Sequence, residues 1–352
     1  MFDNDFLFYL RNFASPVTIP KLGIFLLLLL PFTLITLFIT YADKIDSTAL
    51  ISFVKQEKCS FEAISVCQYG GKGTNGTFLY ILYNSVGFGS EINQLLLAFA
   101  YSVASKRQFL IDTQHWNYGR FEDYFDLGQK PFHRSIPYEF LVEDEKENRR
   151  HFHLKTTRTG KQLEQFWRAT RHVQTIGAKR SVAHYFWNRM NRTTSRLIRQ
   201  CRMKSPSKFI SIHIRRGDKN LNEARLIPVI GYIRKIEQIL GNQTQTVFIS
   251  SDVPQVIEEC RQIRPQWTFF DRELNTTHEK NISFGHRQGE FNRLPMNVKF
   301  QQTVLLLCQL QFFIDADYVF CTMSSNICRL IQILRHAPIK TTISLDVGWR
   351  GN

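Results

Sequence analysis

The sequence predicts an α/β protein built on a doubly wound parallel sheet. Three observations predict it. The second half of the chain alternates strand-like and helix-like stretches. One strand, Phe209 to Ile214, carries Ile210, Ile212 and Ile214 on one face and the uncharged Phe209, Ser211 and His213 on the other, a pattern suited to burial on both sides. That strand stops abruptly at Arg215-Arg216-Gly217-Asp218-Lys219, and open α/β sheets bind ligands beyond the carboxyl ends of their strands.

The 352 residues allow two domains of ordinary size, and a hydrophobic fraction of 43% supports real cores. A formal net charge of +15 points to an anionic partner. No zinc-finger spacing, no RNP-type aromatic motif and no long basic run is present, which sets nucleic acid aside. None of the seven cysteines forms a C-x-x-C pair, so zinc and dithiol chemistry are not expected. Asn75, Asn191, Asn242, Asn275 and Asn281 each begin an N-glycosylation sequon, which fits a lumenal chain in which disulfides form.

Taken in order, residues 1–21 read as a short cytosolic tail. Leu22 to Tyr41 is uncharged and long enough to cross a bilayer, too long for a cleaved signal core, and so predicts an uncleaved single-pass anchor. Arg11 and Lys21 before it keep the N-terminus in the cytosol and put the remainder in the lumen. Residues 42–75 form a stem, 76–205 an N-terminal domain and 206–352 a second, nucleotide-binding domain.

Within 76–205, Phe78 to Tyr83 and Gln108 to Asp112 read as strands around a helix, Glu91 to Ser105, capped by Ser90. Gly87-Phe88-Gly89 precedes that helix. It resembles a dinucleotide-binding turn but lacks the third glycine. Arg149 to Lys204 is helical and basic, most simply a solvated face; the alternative is a surface that meets the acceptor or an anionic membrane. Beyond Arg216 come helices at Pro228–Leu240, Gln255–Arg264, Val298–Phe313 and Ile327–Arg335, with strands at Thr246–Ser250, Trp267–Phe270, Tyr318–Thr322 and Thr341–Leu345. Asn275 to Arg293 reads as a long polar loop.

Two places can grip an anion. Strand side chains alternate, so of Arg215 and Arg216 one faces the crevice while the other braces the loop. A guanidinium fork matches phosphate or carboxylate oxygens; the simpler alternative is a surface salt bridge to Asp218. Thr322-Met323-Ser324-Ser325-Asn326 is a strand-to-helix turn, where backbone amides and the helix dipole hold phosphate; here the alternative is plain N-capping. Asp252 and Asp271 end strands of the same sheet and belong to the same crevice. Cys321 and Cys328 flank the turn at a spacing that permits a bridge or two free thiols. Asp315-Ala316-Asp317 matches a D-x-D metal pattern, but it joins a helix end to a strand start and reads as structural.

His213-Ile214-Arg215-Arg216-Gly217-Asp218-Lys219 with Glu223, Ser250-Ser251-Asp252-Val253-Pro254, and Ala316 to Arg329 together resemble the α1,6-fucosyltransferases, the family that includes the N-glycan core enzyme. Gly87-Phe88-Gly89 and Leu110 to Tyr118 are similar to that family's upstream motif. The resemblance implies a GT-B-like enzyme of two Rossmann-type domains, inverting and metal-independent, on a type II Golgi anchor. It places His213, Arg215, Arg216, Asp252, Ser324, Ser325 and Asn326 at the donor, GDP-fucose, with Arg215 on the β-phosphate. It makes Glu223 the general base, assisted by Lys219 and Asp218. The implied partners are GDP-fucose, an N-glycan acceptor on glycoproteins and, through the anchor, a membrane; a homodimer is left open. An α1,2-fucosyltransferase acting on galactose, or an inactive glycan-binding relative, is the alternative. Val253 and Gln309 stand where that family carries acidic residues, and an amide replaces only part of a carboxylate's bonding to guanine.

Overall fold

The structure is a computed structural model. It describes residues 77–82, 86–104, 107–114, 116–126, 176–203, 205–216, 226–272 and 287–348, all within the unit Ala49–Asn352. The expected tail, membrane anchor and stem lie outside the described residues. Among those residues, no helix is long and apolar enough to cross a membrane.

The first sheet pairs β1 (Thr77–Ile81) with β2 (Gln108–Asp112) in parallel, and helix α1 (Phe88–Ala104) makes the crossover. The helix starts earlier than the sequence suggests. The Gly87 carbonyl accepts the amides of Ser90 and Glu91, which places Ser90 inside the first turn instead of at the cap. The Tyr118 hydroxyl takes the Phe88 amide at 2.7 Å, satisfying one of the donors that a helix start leaves open. Helices α2 (Ile176–Trp187) and α3 (Arg192–Arg202) follow.

The second sheet holds β3 (Ile210–Ile214), β4 (Thr246–Ser251), β5 (Thr268–Phe270), β6 (Val319–Cys321) and β7 (Thr342–Ser344). Their spatial order is β5-β4-β3-β6-β7, every pair parallel. The chain starts at β3, moves outward through β4 to β5, then returns to lay β6 on the other side of β3. The order therefore reverses between β3 and β6, and a crevice opens where connections leave in opposite directions.

Helices α4 (Val229–Leu240) and α5 (Gln255–Ile263) cover one face; α7 (Met296–Asp315) and α8 (Asn326–Leu334) cover the other. A short helix, α6 (Gln288–Phe291), replaces part of the loop expected over 275–293; Phe291 gives it an apolar anchor, buried against Tyr118. β3 is buried at all five positions. Ile210, Ile212 and Ile214 pack with Val229, Tyr232 and Ile233 of α4, while Phe209 and His213 meet Phe312 and Phe313 of α7. The two-faced pattern of the sequence is thus the two-faced packing of the strand.

A single apolar cluster runs from Tyr80, Phe99 and Phe109 through Val182 and Phe186 to Leu307, Leu330 and Ile331. α8 is shared: it packs on α1 and α2 as well as on α7. Arg335, wholly buried, donates to the carbonyls of Phe313, Ala316 and Asp317 and so closes the C-terminus of α7. Cys201–Cys308 ties α3 to α7, Cys321–Cys328 ties β6 to α8, and Cys260 is a buried free thiol.

The basic stretch between 149 and 204 is mixed where it is described. Arg192, Arg196 and Arg199 are exposed, as a solvated face requires, but Lys179 is buried and Arg180 donates to the Gln332 carbonyl.

Candidate active site

The two arginines after β3 diverge, as alternation demands. Arg216 turns to α5 and makes two bonds to Glu259, at 2.6 and 2.8 Å. The hydrogen bond from Arg216 holds the Glu259 carboxyl below its usual range, and the same bond raises Arg216. Arg216 is thus engaged on a helix, as a brace would be. Arg215 lies 3.3 Å from the Asp252 carboxylate. The other oxygen of Asp252 accepts the Arg216 amide at 2.7 Å. Asp252, with a side chain only 7% exposed, grips both arginines and is a positioning group more than a ligand of its own.

The strand-to-helix turn after β6 lies beside this arginine, because β6 is the neighbour of β3 and runs the same way. Ser325 occupies the N-cap of α8, yet its side chain makes no capping bond. Its hydroxyl lies 3.4 Å from His213 Nε2 instead, across the gap between the two strands. The Asn326 side chain accepts from Arg329, and its carbonyl accepts from Asn93 of α1 at 2.8 Å. Arg329 also binds the Met323 carbonyl at 2.7 Å, and Tyr232 of α4 bonds Thr322.

The amides of this turn are divided. Those of Met323 and Ser324 already donate to Asp346, at 2.7 and 3.2 Å. Partial burial pushes the Asp346 pKa up, but its hydrogen bonds from Ser324 and Ser344 outweigh this and hold it below the ordinary value. Within the expected seat over 322–326, the amides of Met323 and Ser324 are thus taken up by an internal carboxylate.

The glycine turn before α1 meets the same place. A Cβ on Gly89 would lie 3.0 Å from the backbone of Asn326 and Ile327 and 2.9 Å from the Ile327 side chain. Gly89 is glycine because the start of α8 lies against it, not because a dinucleotide does. Tyr118 joins the turn to α6 through Phe88 N and Gln288 Oε1. Burial holds its phenol protonated far above the usual range, with Glu91 adding to the effect and Gln288, Phe88 and Arg215 opposing it.

Gln309 of α7 accepts from Ser250 at 3.1 Å and donates to the Arg272 carbonyl at 3.0 Å. Asp271 follows the edge strand β5, two strands from β3. Asp315 pairs with Arg202, and the Asp317 amide donates to the Phe209 carbonyl, which precedes β3. Both aspartates thus lie at the amino edge of the sheet, a strand's length from Arg215, which fits the structural reading of that pair. Asp218, Lys219 and Glu223 lie outside the described residues.

Sequence reasoning missed Asp346, Glu259 and Asn93, and it gave no role to Arg329 and Tyr118, which end the two stretches that carry the resemblance. The rule that singles out Asp252 and Asp271 as strand-end carboxylates also covers Asp346, two residues beyond β7. Nothing local marks Glu259, Asn93 and Tyr118, whose partners are far away in sequence.

A parallel doubly wound sheet with an arginine and a helix start flanking its switch point is an arrangement that can accommodate a phosphorylated ligand. Residues 181–340 match the family model described as alpha-(1,6)-fucosyltransferase N- and catalytic domains. That stretch, which contains Arg215 and the turn after β6, resembles this family. Among solved structures the chain is similar to the NodZ fucosyltransferase from Bradyrhizobium, at 14% identity and TM-score 0.45, over 74% of this chain and 93% of that one. NodZ alpha-1,6-fucosyltransferase soaked with GDP-fucose gives 14% and 0.43 over the same shares, and a mutant of Arabidopsis thaliana FUT1 in complex with GDP gives 13% and 0.42 over 82% and 72%. These structural likenesses are distant.

Proposed function

We propose that the protein transfers fucose from GDP-fucose to an N-acetylglucosamine hydroxyl of an N-glycan, forming an α1,6 link with inversion. The observation that carries this reading is the adjacency of Arg215 and the start of α8 on neighbouring parallel strands, joined by His213 and Ser325. In the reaction the acceptor oxygen forms a bond to C1 of fucose while the bond from C1 to the β-phosphate oxygen breaks. Its electron pair goes to the phosphate, and the hydroxyl proton goes to Glu223. The leaving diphosphate gains negative charge as it departs. Arg215 and the α8 amides face that charge, and one such donor is worth ~10²–10³-fold in rate. A base in the position of Glu223 contributes ~10²–10⁴-fold.

Asp252 orients Arg215, His213 stands with Arg215 at the guanosine diphosphate, and Ser324, Ser325 and Asn326 line the phosphate side. Lys219 and Asp218, on the segment that carries Glu223, assist it. Metal independence follows in this reading because the guanidinium and helix dipole take the role of the cation, and the Asp315–Asp317 pair is engaged at the far edge of the sheet. A GT-B-like arrangement of domains 76–205 and 206–352, and a type II Golgi anchor at 22–41, complete the proposal.

Turnover of the full chain with GDP-fucose and a panel of glycans, with and without a chelator, tests it. Transfer to N-acetylglucosamine unaffected by chelator is expected. Transfer to galactose alone, donor binding without transfer, or loss of turnover on chelation would each remove a named part of the reading.

A further inference from the structure

Two of the five sequons fall among the described residues, and the structure treats their asparagines in opposite ways. Asn191 is the N-cap of α3. Its Oδ1 accepts the Thr194 amide at 2.8 Å, and its Nδ2 donates to the carbonyls of Glu122 at 2.9 Å and Asp123 at 2.8 Å. Both amide hydrogens are therefore in use. N-glycosylation replaces one of them with a sugar carbon, so a chain modified there loses a bond that joins α3 to the 3-10 turn Phe121–Asp123 and must fit a bulky group into a packed junction.

Asn242 is the reverse case. It follows Gly241, which ends α4 with φ +77, and Asn242, Gln243 and Thr244 are all exposed. No bond from the Asn242 side chain is found among the described residues. The loop enters β4 at Thr246, the amino edge of the sheet, whereas Arg215 and the turn after β6 stand at the carboxyl edge. A strand of this length separates them by roughly 17–20 Å. A glycan on Asn242 thus projects from the side of the domain away from the crevice.

We propose that Asn242 is an N-glycosylation site of the folded protein and that Asn191, despite its sequon, is not. The modification takes an oligosaccharide from a polyprenyl-diphosphate donor: the sugar C1–O bond breaks, a C1–Nδ2 bond forms, the amide gives up one proton, and the lipid diphosphate leaves. The inference rests on the lumenal part of the proposed function and not on fucosyl transfer. Its independent support is the pair of disulfides, Cys201–Cys308 and Cys321–Cys328, which belong to an oxidising compartment.

The test is to express the full chain, bearing a C-terminal acceptor sequon tag, in a eukaryotic cell and purify the disulfide-bonded monomeric fold. Glycans are then removed with a peptide amidase in heavy-oxygen water, which marks each formerly modified asparagine. The expected result is a mark on Asn242 and on the tag, and none on Asn191. N242Q should remove one glycan from the gel mobility and leave turnover unchanged. A mark on Asn191 in the folded protein overturns the proposal. So does an unmarked Asn242: with the tag marked, the choice of asparagine is wrong; with the tag unmarked, the lumenal placement is wrong, while turnover with GDP-fucose judges the activity separately.

Discussion

Ser325 Oγ lies 3.4 Å from His213 Nε2, and by that contact the hydroxyl at the start of α8 leaves its own helix uncapped. A serine at this position ordinarily bonds an amide two or three residues on. Here it links the turn after β6 to β3 and takes up no amide at the start of α8.

Arg215→Ala should lower kcat by ~10²–10³-fold. Arg215→Lys should recover little of it, since a point charge cannot keep both the Asp252 contact and a two-pronged grip on phosphate. Steady-state kinetics with GDP-fucose measure both. Near-normal turnover in the lysine variant would remove the fork from the mechanism.

Glu223→Gln should abolish transfer and leave GDP affinity nearly intact, because a base acts on the acceptor proton and not on the nucleotide. Calorimetric titration with GDP separates the two effects; a large loss of affinity would end the base assignment.

Asp346→Asn should weaken GDP binding by about 3–10-fold, an effect of the size of one to two hydrogen bonds. The sign is informative. If Asp346 acted only as a charge near the diphosphate, its neutralisation would tighten binding. As the group that fixes Met323 and Ser324, its loss loosens the turn. The depressed pKa of Asp346 sets the pH dependence. Its contribution is present above the ordinary carboxylate pKa and is lost as pH falls through the lower, folded value. GDP affinity in the wild type should therefore hold through mildly acid pH and drop only below the usual carboxylate range, a drop absent from the asparagine variant.

The two disulfides should separate on removal. Cys201–Cys308 spans 107 residues, and its loss through a double serine variant should cost ~2–5 kcal/mol in denaturant unfolding, with donor affinity unchanged in the remaining folded protein. Cys321–Cys328 spans 7 residues. Its loss should cost less stability and raise the GDP dissociation constant, because it pins the turn itself. Equal effects on GDP binding would contradict this division.

Gly89→Ala should displace the start of α8, since its methyl meets backbone at 3.0 Å and not only a movable side chain. A stability cost of ~1–3 kcal/mol is expected from such overpacking, with weaker GDP binding in the folded fraction. An alanine variant of wild-type affinity would show that α1 does not position the turn.

The sequence by itself determined the strands, most of the helices, and the identity of the residues that end them. β3, β4 and β6 announce themselves through β-branched and aromatic runs, and Arg215, Asp252 and Ser325 follow from where those runs stop. Periodicity and turn residues are local signals, so a linear reading can find them. Only the tertiary structure decided what these residues touch. The reversal of strand order set Arg215 beside the turn after β6. The packing of α1 on α8 made Gly89 a close-approach residue, and the position of β7 delivered the Asp346 carboxylate to amides 22 and 23 residues earlier in the chain. Such pairings depend on which layers bury one another across the whole core, and that information belongs to no single stretch of the chain.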